Sequence, residues 1–396
     1  MSIKERLDQL KEKYDGTSFS PLFNAFHTFL FVPKHTTHTG SHIRDAADMK
    51  RTMITVVIAL MPCFFFGAYN TGYQYYSQIG GDTSVWICFL FGLGKILPLI
   101  AVSYGVGLGI EFLFAMLRKH EVNEGYLVTG LLIPLILPVD SPIWMLASAV
   151  IFSVVIGKEV FGGTGMNVLN PALLARAFLF FAYPKEISGD KVWVHNGGLD
   201  GISGESLIGF LANAKDQVEL SRQVVLHGSP VSVQDMFLGF IPGSFGETSV
   251  IAVLIAAALL IFTGIGSWRI MFSAVVGASV VGFLFNAWGA NALMAFPWWK
   301  HLIVGGFAFG IVFMATDPVS SAQTQTGKWI YGFFVGFFSI LIRIFNPAYP
   351  EGVMMAILLM NVFAPTIDHF VVQANINRRI KRLKTKKYLI HGREIH

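Results

Sequence analysis

The sequence predicts an all-α polytopic membrane protein of about ten transmembrane helices, arranged as two inverted five-helix repeats with broken helices. Three observations carry this prediction. Only 13% of the 396 residues are charged and 54% are hydrophobic, a charged fraction roughly half that of a soluble domain. The mean hydropathy is +0.58, and the 40 glycines fit membrane helices, where glycine is more frequent than in soluble ones. Apolar runs long enough to cross hydrocarbon, about 20 residues each, recur along the chain.

The runs fall near 53–71, 94–117, 123–139, 143–160, 170–183, 248–266, 268–288, 300–316, 330–346 and 352–373. The stretch from Trp86 to Leu117 is long for one crossing, so its first part reads as a surface or re-entrant piece. The run at 170–183 is short, and the run at 300–316 ends in a polar Thr-Asp-Pro, the kind of interruption that marks binding sites in transport proteins. Ahead of the first run, Met1 to Tyr14 is charged and amphipathic, unlike a cleaved leader. Ser18 to Val32 is too short to span and reads as a surface helix.

Basic residues orient these runs. With ten crossings, Arg118, Lys119, Lys158, Arg269, Lys328 and the basic run from Arg378 to Lys387 share one side with the charged N-terminal segment. The opposite loops are nearly free of Lys and Arg, so the positive-inside rule puts both termini in the cytoplasm. The expected divisions are a cytoplasmic segment 1–52, a first membrane half 53–183, an extracytoplasmic loop 184–247, a second membrane half 248–373 and a basic cytoplasmic tail 374–396. Each half holds a glycine-rich stretch beside a polar, proline-containing break: Gly162 to Gly165 with Asn167 to Pro171, and Gly305-Gly306 with Thr316-Asp317-Pro318. Five crossings per half is an odd number, which inverts the second copy.

The net charge of +5 sits beside apolar runs rather than in a separate patch, which sets topology and argues against nucleic acid as a partner. Cys63 and Cys88 lie in or beside apolar stretches with no metal-ligand spacing, so no metal centre is expected. Lys95, Glu111, Arg176, Asp317, Arg343 and Asp368 lie within or at the ends of runs, where each costs a few kcal/mol unless paired or hydrated. For Glu111 and Asp368, two readings stand together: carboxylate ligands along a cation path, or internal ion pairs with Arg176, Arg343 or Lys95. Gly105, Gly107 and Gly109 follow no strand, so they read as a packing stripe and not as a nucleotide fingerprint. In the long loop, Asp200-Gly201-Ile202-Ser203-Gly204-Glu205-Ser206 leads into the helix-like run LIGFLANA, where a hydroxyl ordinarily caps the helix.

Five stretches carry a resemblance to a known family: RKHEVNEG (118–125), KEVFGGTGMNVLNPALLARAFLFFAYP (158–184), SWRI (267–270), GGFAFGIVFMATDPVS (305–320) and IRIFNPAYPEGVMMAIL (342–358). Spread from end to end, they closely resemble the B-subunit family of sodium-translocating NADH:quinone oxidoreductases, with the D subunits of Rnf complexes similar but more distant. The resemblance implies a component of a respiratory sodium pump in the bacterial inner membrane, working with five other subunits. NADH is oxidised on another subunit, so neither an NADH site nor a catalytic side chain is expected on this chain. The implied cofactors are a covalent FMN, joined by a phosphoester to a hydroxyl in the extracytoplasmic loop by a flavin-attaching transferase, and a riboflavin. The implied substrates are Na⁺ and a quinone, ubiquinone or menaquinone.

Carried over residue by residue, the family's flavin motif Asp-x-x-Ser-Gly-Ala-Thr is matched by Asp200, Ser203 and Gly204. Glu205 stands at the Ala position and Ser206 at the acceptor Thr. A serine hydroxyl forms the same ester, whereas a carboxylate beside a phosphate is unfavourable at short range. Thr248, in GETS, is a second candidate acceptor. Glu111, Asp317 and Asp368 match acids that the family uses in sodium passage. Gly107 and Leu108 match a glycine pair linked to the quinone region, with one glycine replaced. The rival reading is a secondary transporter or channel without a redox role, since an inverted five-plus-five bundle with broken helices suits that class equally.

Overall fold

The computed structural model describes residues 49–118, 125–187, 204–214, 225–226, 229–346 and 351–391, with residues 6, 9, 17, 39–41, 192–195, 197 and 349 besides. The expected surface helix at 18–32, the stretch 119–124 and the motif residues Asp200 and Ser203 lie outside the described residues.

The described chain is helical apart from turns and one two-residue antiparallel pairing, Val225–Leu226 with Ser229–Pro230. The first group of helices is α1 (Met49–Ile79), α2 (Val85–Arg118), α3 (Tyr126–Ile136), α4 (Ile143–Val154) continued by a π-helical turn at Val155–Glu159, and α5 (Pro171–Ala182). Two short helices follow, α6 (Leu207–Asn213) and α7 (Val233–Leu238). The last group is α8 (Val250–Phe262), α9 (Trp268–Trp288), α10 (Phe307–Phe309) continued by a second π turn at Gly310–Met314, α11 (Gln325–Phe345) and α12 (Val353–His391). Among the described residues, α1, α2, α9, α11 and α12 are long and apolar enough to cross a membrane, and α3, α5 and α8 are shorter apolar helices.

Two expectations change. The stretch from Trp86 to Leu117 is not split into a surface piece and a span, because α2 is one helix of 34 residues that carries Pro98 inside it. Proline is tolerated there because neighbouring helices and local adjustment satisfy the backbone group it leaves free. Gly105, Gly107 and Gly109 form no packing stripe: Gly105 and Gly109 face open space, and of the three Gly107 alone is buried. The reason is angular. Residues two apart point to nearly opposite sides of a helix, while Gly105 and Gly109, four apart, share an outward face. Close glycine contacts lie elsewhere, between α1 and α2 at Gly72 and Gly92 and between α9 and α11. Gly277 lies against the Phe333 backbone, Gly332 against Ile270 and Gly336 against Ala274, so three missing side chains let two backbones meet.

Specific contacts define two ends of the bundle. At one end, Thr52 of α1, Gly125 before α3, Lys158 in the first π turn, Asn170 before α5 and Asp317 after the second π turn surround one cavity. At the other end, Gly246 N donates to Leu135 O at 2.8 Å, and Glu247, Ser206, Gly305 and Glu351 meet around a smaller cavity. The proline-containing breaks singled out in the sequence, at 167–171 and 316–318, therefore both lie at the first end.

Candidate functional site

At the first end the cavity is about 90 Å³, and its polar lining includes Lys158, Asn167, Asn170, Thr316 and Asp317. Asn170 is there because it starts α5: its side chain accepts hydrogen bonds from Ala172 N (3.0 Å) and Leu173 N (3.3 Å), and Pro171 takes the first helical position. Asp317 closes the turn after the second π turn. Its carboxylate accepts from Ser320 Oγ at 2.6 Å, Ser320 N at 3.3 Å and Val319 N at 3.5 Å. Asp368 of α12 holds the next stretch of the same loop, accepting from Gln323 N (2.6 Å), Thr324 N (3.0 Å) and Thr324 Oγ1 (2.5 Å). Neither Asp317 nor Asp368 makes an ion pair among the described residues.

Glu111 differs. Buried on α2, it is ion-paired with the buried Lys158, whose Nζ donates to Glu111 Oε1. The ion-pair reading of Glu111 is thus met, though by a lysine expected at the membrane surface and not by Arg176, Arg343 or Lys95. A π turn places an extra residue in a helix and often accompanies a functional site. Here consecutive residues both serve α2: Lys158 meets Glu111, while Glu159 accepts from Arg118 Nη1 at 3.4 Å and its carbonyl from Arg118 Nη2 at 2.8 Å. Gly107 belongs to the same region for a steric reason, since a Cβ there would collide with the Tyr126 ring. That ring lies 5.9 Å from Lys158 Nζ, and Tyr126 OH donates to Ser103 O at 2.9 Å. Leu108 is the half-buried neighbour of Gly107 and packs against the core.

At the opposite end Ser206 is the N-cap of α6, its Oγ accepting from Gly209 N at 3.1 Å. It is half-exposed and lines the smaller cavity, of about 30 Å³, with Glu247, Thr248, Gly305 and Gly306. Glu205 directs its carboxylate along α6, accepting from Asn213 Nδ2 at 2.7 Å. Gly204 is buried, and its carbonyl accepts from Trp193 N at 3.1 Å. Thr248 is 5% exposed and accepts from Asn70 Nδ2 at 3.3 Å, which leaves its hydroxyl far less reachable than that of Ser206.

Buried arginines stabilise this end. Arg176 of α5 pairs with Glu247 at 3.3 Å and lies over the Trp193 and Tyr349 rings. Arg343 of α11 donates to the carbonyls of His301 (2.8 Å), Val304 (3.1 Å), Glu351 (3.2 Å) and Gly305 (3.4 Å). Gly305 and Gly306 both have φ +67°, a left-handed conformation suited to glycine, and a Cβ at either position would strike Arg343 or Glu247. Lys95 is held with Asp140 (3.6 Å) and His195 (3.2 Å). Sequence reasoning missed Lys158 and Glu247. Their available signal was position, since each adjoins a polar or glycine-rich break.

The model of the NQR2, RnfD, RnfE family matches residues 36–377. Similar relatives include proteins of Chromohalobacter salexigens (46% identical, covering 96% of this chain and 97% of that protein) and Azotobacter vinelandii (46%, 96% and 100%). A protein of Pseudomonas aeruginosa is 44% identical over 96% of this chain and all of its own length. All three are named as the B subunit of Na(+)-translocating NADH-quinone reductase.

Proposed function

Because this chain belongs to the NQR2, RnfD, RnfE family, we propose that it is the B subunit of a sodium-translocating NADH:quinone reductase in a bacterial inner membrane. One observation carries this reading: the similarity at 46% identity runs through 96% of this chain and 97% or more of relatives with that name. The rival transporter reading rests on architecture alone, which both classes share.

In this reading α1 to α5 and α8 to α12 make ten crossings, with 184–247 outside and both termini in the cytoplasm. The end bearing Arg118, Lys158 and Lys328 then faces the cytoplasm, as the positive-inside rule favours. The two halves are inverted copies, but their corresponding breaks are not the pair the sequence suggested. Counterparts in an inverted repeat belong at opposite ends, and the breaks at 167–171 and 316–318 line one cavity. The better match is Pro138 to Pro142 after α3 with Thr316 to Ser320 after α10, which pairs Asp140 with Asp317.

Ser206 is the acceptor for FMN. Its hydroxyl is half-exposed, and an ester oxygen keeps a lone pair for Gly209 N, so attachment preserves the cap. The Glu205 carboxylate is engaged by Asn213 along α6, which relieves its conflict with a neighbouring phosphate. Bound flavin supplies one-electron transfer towards quinone; the protein positions it and tunes it. The roles of Asp200 and Ser203 in the attachment motif and of riboflavin as the second flavin follow the family. Glu111, Asp317 and Asp368, all associated with the end of the bundle around the larger cavity, are the acids of the sodium path, and oxygen ligands suit that hard cation. Gly107 and Leu108 belong to the quinone region by resemblance, and Gly107 acts there by admitting Tyr126.

The test is ultraviolet fluorescence of this chain on a denaturing gel, with the protein made alongside the flavin-attaching enzyme. A fluorescent band that Ser206→Ala abolishes supports the assignment. A band that survives moves the attachment elsewhere, and no band in the unsubstituted protein removes the covalent flavin from the reading.

A further inference from the structure

Asn361 of α12 is fully buried, and its side chain reaches from the break at Asn170-Pro171 to the loop that follows Asp317-Pro318. Its amide nitrogen lies within hydrogen-bond reach of Tyr331 OH (2.8 Å), the Ile357 carbonyl (3.2 Å) and the Ser320 carbonyl (3.3 Å), and its oxygen accepts from Asn170 N at 3.2 Å. The opposite orientation would set the amide oxygen against two carbonyls, so the neighbours fix which way it points. Asn170 starts α5, and Ser320 follows the second π turn, so one amide bridges the first group of helices and the last. Ser320 in turn gives Asp317 two hydrogen bonds, from Oγ at 2.6 Å and from N at 3.3 Å. Asp368, about two helical turns further along α12, holds the same loop at Gln323 and Thr324.

We propose that Asn361 is a positioning residue of the sodium path: through the Ser320 carbonyl it sets where the Asp317 carboxylate stands, and through Asn170 N it keeps that loop in register with the start of α5. This rests on the reading of Asp317 as a sodium-path acid and adds what places that acid relative to the other half of the bundle. Three features support the role. The amide is neutral, so it orients the support of a carboxylate without competing with a cation for it. It bonds main-chain groups of both segments, and a buried polar network with its members satisfied specifies one arrangement. Taking the amide away removes a partner from the Ser320 carbonyl and from Asn170 N, groups that are costly to leave unpaired when buried, so the loop is driven to shift. Asn361 acts through Ser320 and Asn170; it moves no proton and no electron.

The experiment is the Na⁺ dependence of NADH-driven quinone reduction by the assembled reductase in membranes, with choline replacing Na⁺ to hold ionic strength. Asn361→Leu keeps a similar volume and removes the amide, and the KM for Na⁺ rises by about tenfold, the scale of a moderate coupling between two sites. The KM for quinone and kcat at saturating Na⁺ hold. Ser320→Ala also raises the KM for Na⁺, and the double variant raises it by less than the product of the two single effects, because both act on one carboxylate. A KM for Na⁺ unchanged in Asn361→Leu, with the loss confined to kcat or to the amount of assembled reductase, would overturn the proposal and leave Asn361 a structural contact. A double effect equal to the product would overturn it too. Should Asn361→Leu fail to assemble, Asn361→Ser removes both bridges while its hydroxyl returns to the Ile357 carbonyl one turn back, and the same KM decides. Asp317→Asn tests the underlying reading separately. If it leaves the KM for Na⁺ unchanged, Asp317 is not on the path and the proposal falls with that reading. A raised KM there, beside an unchanged one in Asn361→Leu, removes the proposal alone.

Discussion

The two ends of the bundle use similar charges in opposite ways. Around Ser206, Arg176 is paired with Glu247 and Arg343 is tied to four backbone carbonyls, all buried or half-buried. Around the larger cavity, Asp317 and Asp368 are held by hydroxyl and backbone N–H donors, and the buried Lys158, which lines the cavity, is paired with Glu111. The difference teaches that burial of charge serves two purposes here. One network ties its turns with buried ionic groups, and the other holds its carboxylates with neutral donors.

Substitutions sharpen this contrast, and the largest effects belong to the locked end. Glu247→Ala leaves Arg176 charged and buried, and should destabilise the protein by about 3–5 kcal/mol, read as a fall in Tm of the purified chain in detergent. An unchanged Tm would mean that the pair is not buried within the protein. Arg343→Ala strips a donor from several buried carbonyls and should cost at least about 2 kcal/mol by the same measurement. At the cavity end, Asp368→Ala frees the loop at Gln323 and Thr324. The expected cost is smaller, about 1–2 kcal/mol, with faster hydrogen exchange at those two amides; exchange rates that stay put would show the loop to be held by other contacts. Ser206→Ala removes only a cap of α6 and should cost about 1 kcal/mol. Its thermal effect should therefore be slight beside its abolition of flavin fluorescence, while Ser206→Thr should retain both functions.

Much of this was legible in the sequence, for identifiable reasons. The apolar runs predicted the helices because burying backbone in hydrocarbon permits little else, and Asn170-Pro171 and Ser206 announced helix starts through their residue types. The partner of Glu111 was not legible. Lys158 lies at the end of an apolar run, where the positive-inside rule reads a lysine as facing water, and only the π turn that contains it aims the side chain inward. Glu247 was hidden within GETS, where Thr248 drew attention as a hydroxyl. The spacing of Gly105, Gly107 and Gly109 suggested a stripe, although of these only Gly107 meets a neighbour. That the breaks at 167–171 and 316–318 share one cavity depends on how the helices return through the bundle, which residue patterns do not reveal.

The central claim is that the cavity end carries sodium while the Ser206 end carries flavin. Its most direct test is the uptake of radioactive sodium by vesicles containing the assembled reductase with Asp317→Asn, during NADH-driven quinone reduction, with flavin fluorescence of the same chain recorded in parallel. The account predicts that sodium uptake and its stimulation of quinone reduction are lost while the fluorescent band remains. Uptake at the unsubstituted rate with the band intact would contradict it.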